Sequence, residues 1–195
     1  MIDTSSLFLH VLAAVGMVGG GIMQILAGTR VRAAASGRDI IAWGSFARQA
    51  GWLIAGSAVV SLLTGGHLAG AVWTTETTSG FSYPFITLGA IGLVMLAPIG
   101  PMLGGARLRK LVAEAEQIGD GPITAQLRHQ ASAPSLWGPV HSLVGVAIGL
   151  VALMTYKPGW AAGVGLLLVT FALGWIAGSA VARSATTSRQ RTAAD

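Results

Sequence analysis

The chain has 195 residues, 53% of them apolar and 10% charged, with a mean hydropathy of +0.69. An ordinary soluble domain carries about 25% charged residues, so these charges cannot cover a water-soluble globule, and lipid is the expected solvent for most of the surface. The net charge of +5 does not point to nucleic acid, because the basic residues stand at the ends of apolar runs, and the lack of cysteine excludes disulfides, iron–sulfur ligation and Cys-x-x-Cys-His haem attachment.

The first span is expected over about residues 6–28, with no formal charge and with His10 and Gln24 as its polar members. Ala33-Ala34-Ala35 could pass for a signal-peptide cleavage site. However, only Asp3 precedes the apolar run and the positive charges follow it, a pattern that retains the span in the membrane. The second span is expected over about 51–71. Trp52 and Trp73 bracket it, about 32 Å apart on a helix rising 1.5 Å per residue, close to the hydrocarbon thickness.

The third span is expected over about 83–105, with Pro98 and Pro101 predicting a kink near its far end. Leu108, Leu111, Val112, Ala115 and Ile118 then recur at helical spacing among Arg109, Lys110, Glu114 and Glu116. They predict a short amphipathic helix that continues span three or lies on the inner surface, stopped by Gly119-Asp120-Gly121-Pro122. The fourth span, about 136–156, lies between Trp137 and Tyr156. Lys157-Pro158-Gly159 makes a tight connection to the fifth, about 160–181. Each of these last two is long enough to cross alone, which argues against one re-entrant hairpin. The expected fold is therefore an all-α polytopic transmembrane bundle of about five spans. Residues 1–182 form the membrane domain and 183–195 a cytoplasmic tail.

The basic residues orient it. Arg30, Arg32, Arg38 and Arg48 lie in the first connection, Arg107, Arg109, Lys110 and Arg128 in the third, and Arg183, Arg189 and Arg191 in the tail. Five crossings put every one of these on one side and only Lys157 on the other. The N-terminus is thus expected outside and the C-terminus inside a cell inner (plasma) membrane.

Glycine, at 28 residues, is about twice as frequent as its usual ~7%. Gly16 and Gly20, Gly66 and Gly70, Gly145 and Gly149, and Gly174 and Gly178 are each four apart. Such spacing lets helix backbones approach, within the chain or across an interface with a second copy or a membrane partner.

Histidines are the candidate site residues, because intramembrane ionisable groups are costly. His10 and His67 are expected at similar depth near the outer face, on antiparallel spans. There they could ligate a haem b or a metal ion, or hydrogen-bond a quinone. His10, Met17 and Gln24 share one helix face; His67, Thr64, Ser57 and Gly56 form a mildly polar stripe on the other span. The bland alternative is that both stripes are helix packing. His141, one turn inside span four on the inner side, is a candidate for a separate metal or ligand site. His129 is expected to be solvated. Asp3 and Glu76 are the outer carboxylates, with no partner evident in the sequence, and no paired carboxylates or nucleophile–base–acid set suggests a catalytic site.

The run Leu9-His10-Val11-Leu12-Ala13-Ala14-Val15-Gly16-Met17-Val18-Gly19-Gly20-Gly21 resembles the first span of a bacterial family of predicted integral membrane proteins of unknown function. That family opens with a Leu-His pair and a Gly-Gly about nine residues later. The opening is also similar to that of copper-resistance D membrane domains and of HemJ-like proteins. The resemblance implies a helical bundle and gives His10 the place of a haem or metal ligand. Three readings follow: a small redox or cofactor-binding membrane protein using His10 and His67, a non-catalytic accessory or assembly protein, and a small transporter.

Overall fold

The computed structural model describes the backbone of residues 1–99 and 104–192 and the side chains of residues 1–96 and 104–182. Its elements in chain order are α1 (Ile2–Ala33), α2 (Gly37–Ala71), a 3-10 turn (Gly80–Ser82), α3 (Pro84–Ile99), α4 (Ala106–Ile118), α5 (Ala125–Ala131), α6 (Pro134–Tyr156) and α7 (Trp160–Thr192). No strand occurs among the described residues. Four helical stretches are long and apolar enough to cross a bilayer: α1, α2, the α5–α6 stretch and α7. The chain is an all-α membrane-protein bundle. The expected third span is α3, whose apolar part is the shorter Pro84–Leu96. The kink expected between Pro98 and Pro101 lies outside the residues whose side chains are described.

α6 forms the centre. In α6, 72% of the most apolar window is buried, against 22% in α1, 17% in α2 and 6% in α7. α1–α2 and α6–α7 are antiparallel hairpins, and α1 lies between α2 and α6. Its Gly20 faces Ile54 on one side, while Gly21 and Gly28 face Val144 and the Trp137 ring on the other. α3 closes the bundle against α6, with Gly92 against Leu150. With the ends named by the expected orientation, the α1–α2 turn inner and the α6–α7 turn outer, the outer core gathers Leu88, Leu93, Leu96, Leu150 and Leu153 around α3 and α6.

Close approach of α6 and α7 explains two of the glycine pairs. A Cβ at Gly145 would collide with the Thr170 carbonyl, one at Gly174 with the His141 carbonyl, and one at Gly178 with the Trp137 carbonyl. Gly16 and Gly20 are likewise used inside the chain, against Ser57 and Ile54. Gly66 and Gly70 meet nothing within 4 Å. The turn between α6 and α7 is the expected Lys157-Pro158-Gly159, with Lys157 in the left-handed region at φ 48°, ψ 51°.

The inner connection differs from the loop expected between residues 29 and 50. α1 ends at Ala33 and α2 begins at Gly37, so Arg30, Arg32, Arg38 and Arg48 are all helical. α2 starts with a reciprocal capping box: Ser36 accepts from the Asp39 N–H, and the Asp39 carboxylate accepts from the Ser36 and Ala35 N–H groups. Ile40, Gly44 and Ala47 recur at helical spacing and are buried, Gly44 against Val112 of α4. Hydropathy alone missed this stretch because its outer face is charged.

With 32 and 35 residues, α1 and α2 are about 48 and 52 Å long. They exceed an about 30 Å hydrocarbon core, and the excess forms an inner cap with α4 and α5. The amphipathic helix expected there is α4, ended by Gly119 at φ 58°. Gly37 N–H bonds to the Gly121 carbonyl at 3.2 Å, Arg38 N–H to Gly119 at 2.9 Å, and Ile123 N–H to Ala35 at 3.3 Å. The cap is thus stitched to the α1–α2 turn, over a core of Val31, Ile40, Leu111, Leu127 and Trp137.

Gly174→Ala or Gly178→Ala should destabilise the protein by about 1–3 kcal/mol through overpacking. Gly66→Ala and Gly70→Ala should leave stability unchanged or slightly raised, by helix propensity. Thermal unfolding in detergent, followed by circular dichroism, separates the two pairs.

Candidate functional site

The polar residues of the outer half collect on one seam. α1 and α2 run antiparallel, and a seven-residue repeat of α1 faces α2. Asp3 meets His67, His10 meets Ser61 and Thr64, and Gln24 meets Ala47. The His10 ring is half-buried against Gly65, where a Cβ would lie 3.0 Å from its Cε1. Its Nδ1 lies 3.0 Å from the Ser61 carbonyl oxygen, which can only accept, so Nδ1 carries the hydrogen. The Thr64 hydroxyl spends its own hydrogen on the Val60 carbonyl at 2.7 Å and offers a lone pair to the same Nδ1–H at 3.2 Å. In the neutral imidazole this leaves Nε2 as a lone-pair acceptor. A carbonyl holding the far nitrogen is also how a ligating or proton-accepting histidine is oriented.

His67 behaves differently. Its Nε2 lies 3.0 Å from Asp3 Oδ1, and both side chains are open to the outside, 40% and 59% exposed. Asp3, without an evident partner in the sequence, has one here because α1 begins at Ile2, a turn before the expected start. The two histidines are therefore not level. His10 stands beside residues 61–65, whereas His67 stands beside Asp3, about 10 Å further out along α1. Between the helices a Cβ at Gly16 would collide with Ser57, and one at Gly20 would come within 2.7 Å of Ile54. At the histidines themselves, the Gly65 backbone lies against the His10 ring and the two rings are offset along α1, an arrangement that does not suit one haem held between them.

His141 is on α6 in the inner half and is buried. Its Nδ1–H donates to the Trp137 carbonyl at 2.9 Å, and the backbone of Gly178 packs against its Cβ. Nearby, the buried Arg32 side chain of α1 lies over the Trp137 ring at 4.8 Å, and the Trp137 indole N–H donates to the Ala131 carbonyl at 2.7 Å. This group ties α1, α5, α6 and α7 together at the inner end. The structure does not bring His141 to His10 and His67. Among the described residues no set of three or more His, Asp or Glu is placed to hold a metal ion. His129 is exposed on α5.

Two features carried no signal in hydropathy. Pro139, inside α6, cannot donate to the Ser135 carbonyl, and the Arg107 guanidinium donates to that carbonyl instead. At the outer end, Trp73, Tyr83 and Phe85 stack edge to face, with Trp73–Phe85 centroids 5.1 Å apart. The Lys157 ammonium lies 4.7 Å from the Trp73 ring. Beside this cluster, Asp3, Thr4, Leu7, Leu68, Val72 and Trp73 line an open cleft of about 270 Å³.

No protein-family model, curated protein or solved structure matches the chain. The site therefore has to be read from its own geometry.

The Asp3–His67 pair, being exposed, should couple by only about 0.2–1 kcal/mol in a double-mutant cycle of Asp3→Asn and His67→Gln. His10→Ala should cost more, about 2 kcal/mol, because it empties a packed position against Gly65 and leaves the Ser61 carbonyl without that donor. Chemical denaturation of the three variants in one detergent measures both.

Proposed function

We propose that the chain is a five-crossing protein of the cell inner membrane, with its N-terminus outside, and that it binds a lipid-soluble hydroxyl ligand of the quinol class at His10. The observation that carries this reading is the Nδ1–H bond from His10 to the Ser61 carbonyl. It makes Nε2 an acceptor, suited to a ligand hydroxyl rather than to a carbonyl, which would need a donor. The ligand would lie against the flank of the α1–α2 seam, within reach of the outer leaflet, and His10 would orient it and take up its proton.

The test is binding of a short-chain quinol to the detergent-purified protein, followed by quenching of tryptophan fluorescence. His10→Ala should weaken it at least tenfold and His67→Ala should leave it within twofold. Equal binding by wild type and His10→Ala removes this reading. An absorption spectrum of the same preparation, oxidised and dithionite-reduced, checks haem independently. A Soret band abolished by His10→Ala would return the haem reading, at a place other than the α1–α2 interface.

A second reading, a non-catalytic accessory or assembly protein, is favoured by one observation. Gly66 and Gly70 are the glycine pair not used inside the chain, and with Gly56 they leave open space along the outer half of α2. A second copy or a membrane partner would use that face. A transport reading would route a passage past His141, which is held instead between Trp137 and α7.

The orientation rests on the basic residues and is tested separately. Single cysteines at Thr77 and Gln126, in a chain with no native cysteine, should label with an impermeant thiol reagent in intact cells at Thr77 and not at Gln126. The opposite pattern reverses the topology.

A further inference from the structure

We propose that the inner rim of the α2–α4 pair is a binding surface for the headgroup of an anionic phospholipid. Gly37 of α2 faces the Ala115 carbonyl, whereas Gly44 faces Val112 and, more distantly, Leu108 of α4, so the two helices run antiparallel there. Arg48, one turn beyond Gly44, comes level with the start of α4, which carries Arg107, Arg109 and Lys110. One turn further along α2, Trp52 is 74% exposed, as expected of a residue at the interface between hydrocarbon and headgroups. Cations from two helices thus converge at headgroup depth.

The rim holds little negative charge. Lys110 is 3.9 Å from Glu114, at the edge of an ion pair, and among the described residues Arg48 and Arg109 make none. No acidic residue lies in the first turn of α4, and Gly105 offers no side-chain cap. Arg107 is held in position by its bond to the Ser135 carbonyl. Arg30, 5.6 Å from the Trp43 ring, continues the positive surface towards α1. An anionic phospholipid supplies phosphate and net negative charge at this depth, and clustered basic residues next to a span attract such headgroups.

The assignment to the inner leaflet rests on the proposed orientation. The charge selectivity does not, so failure of this assay and failure of the cysteine labelling are distinguishable. The assay is thermal unfolding of the full chain in a neutral detergent, with phosphatidylglycerol or phosphatidylcholine of identical acyl chains added. Phosphatidylglycerol should raise the midpoint by about 5 °C over phosphatidylcholine, as expected for a specific ligand in large excess. R48Q/R109Q/K110Q should abolish that difference. R183Q/R189Q/R191Q, which removes the same charge from the C-terminal tail, should keep it.

If the triple rim variant does not fold, R109Q/K110Q, at two exposed positions, should lose at least half the shift. Equal shifts with both lipids, or equal loss in the rim and tail variants, overturn the proposal. So does polyglutamate matching phosphatidylglycerol, which would give the rim to an acidic protein surface instead.

Discussion

Everything else in this fold depends on how closely the backbones of α6 and α7 approach. In a bilayer no hydrophobic force draws one apolar helix to another, so contact must come from packing. Gly145, Gly174 and Gly178 give that contact by letting backbone meet backbone. With α7 held on one flank, α6 can be buried along most of its length, and α1 and α3 take their places against its remaining faces. A side chain at any of these three glycines would separate the hairpin: at Gly174 or Gly178 it would press on the His141 or Trp137 carbonyl, and at Gly145 on that of Thr170.

The two ends of the bundle are closed by different chemistry. The inner end is knitted by backbone hydrogen bonds between the α1–α2 turn and the α4–α5 loop, and by the Trp137 indole bonded to Ala131. Each of these satisfies groups that would be costly to bury alone. Among the described residues the outer end has no backbone hydrogen bond between segments distant in sequence. It relies on the Trp73, Tyr83 and Phe85 cluster and the Lys157 ammonium laid over it. Cation–π contacts of this kind contribute about 0.5–2 kcal/mol, so the outer end is the softer of the two. The polar seam of exposed Asp3 and His67 and half-buried His10 lies at that end.

Much of this architecture is legible in the sequence. Apolar length, bracketing Trp and Tyr residues and the Lys157-Pro158-Gly159 turn mark the helices, and the spacing of Leu111 and Ala115 marks the amphipathic helix of the cap. What escapes is whatever depends on a partner distant in sequence. Residues 37–50 look like a charged connection until α4 packs against Ile40 and Gly44. Asp3 looks unpaired until α1 is seen to extend to Ile2. Counting turns from assumed span ends set His10 and His67 level, and a single extra turn of α1 offsets them. The Ser61 carbonyl could not be found from sequence at all, since a backbone acceptor carries no residue signature. The match of Arg107 to the carbonyl freed by Pro139 likewise needed the chain's three-dimensional path.

The inner extension of α1 and α2 has a mechanical consequence. Roughly 21 Å of α2, over residues 37–50, precedes the span expected from Gly51 onward, and its tip is bound through Gly37 and Arg38 to the loop that leads into α5. Such a helix is a lever with its fulcrum at the inner interface. A change in tilt of about 10°, within the range by which spans adjust to bilayer thickness, moves the tip by about 4 Å. Because the tip is fastened to the loop before α5, that displacement is delivered at the start of α6, the most buried helix of the molecule. Membrane thickness and the packing around Trp137 are thereby geometrically coupled, through α2, the loop hydrogen-bonded to its tip, and α5, whose Ala131 carbonyl holds the Trp137 indole.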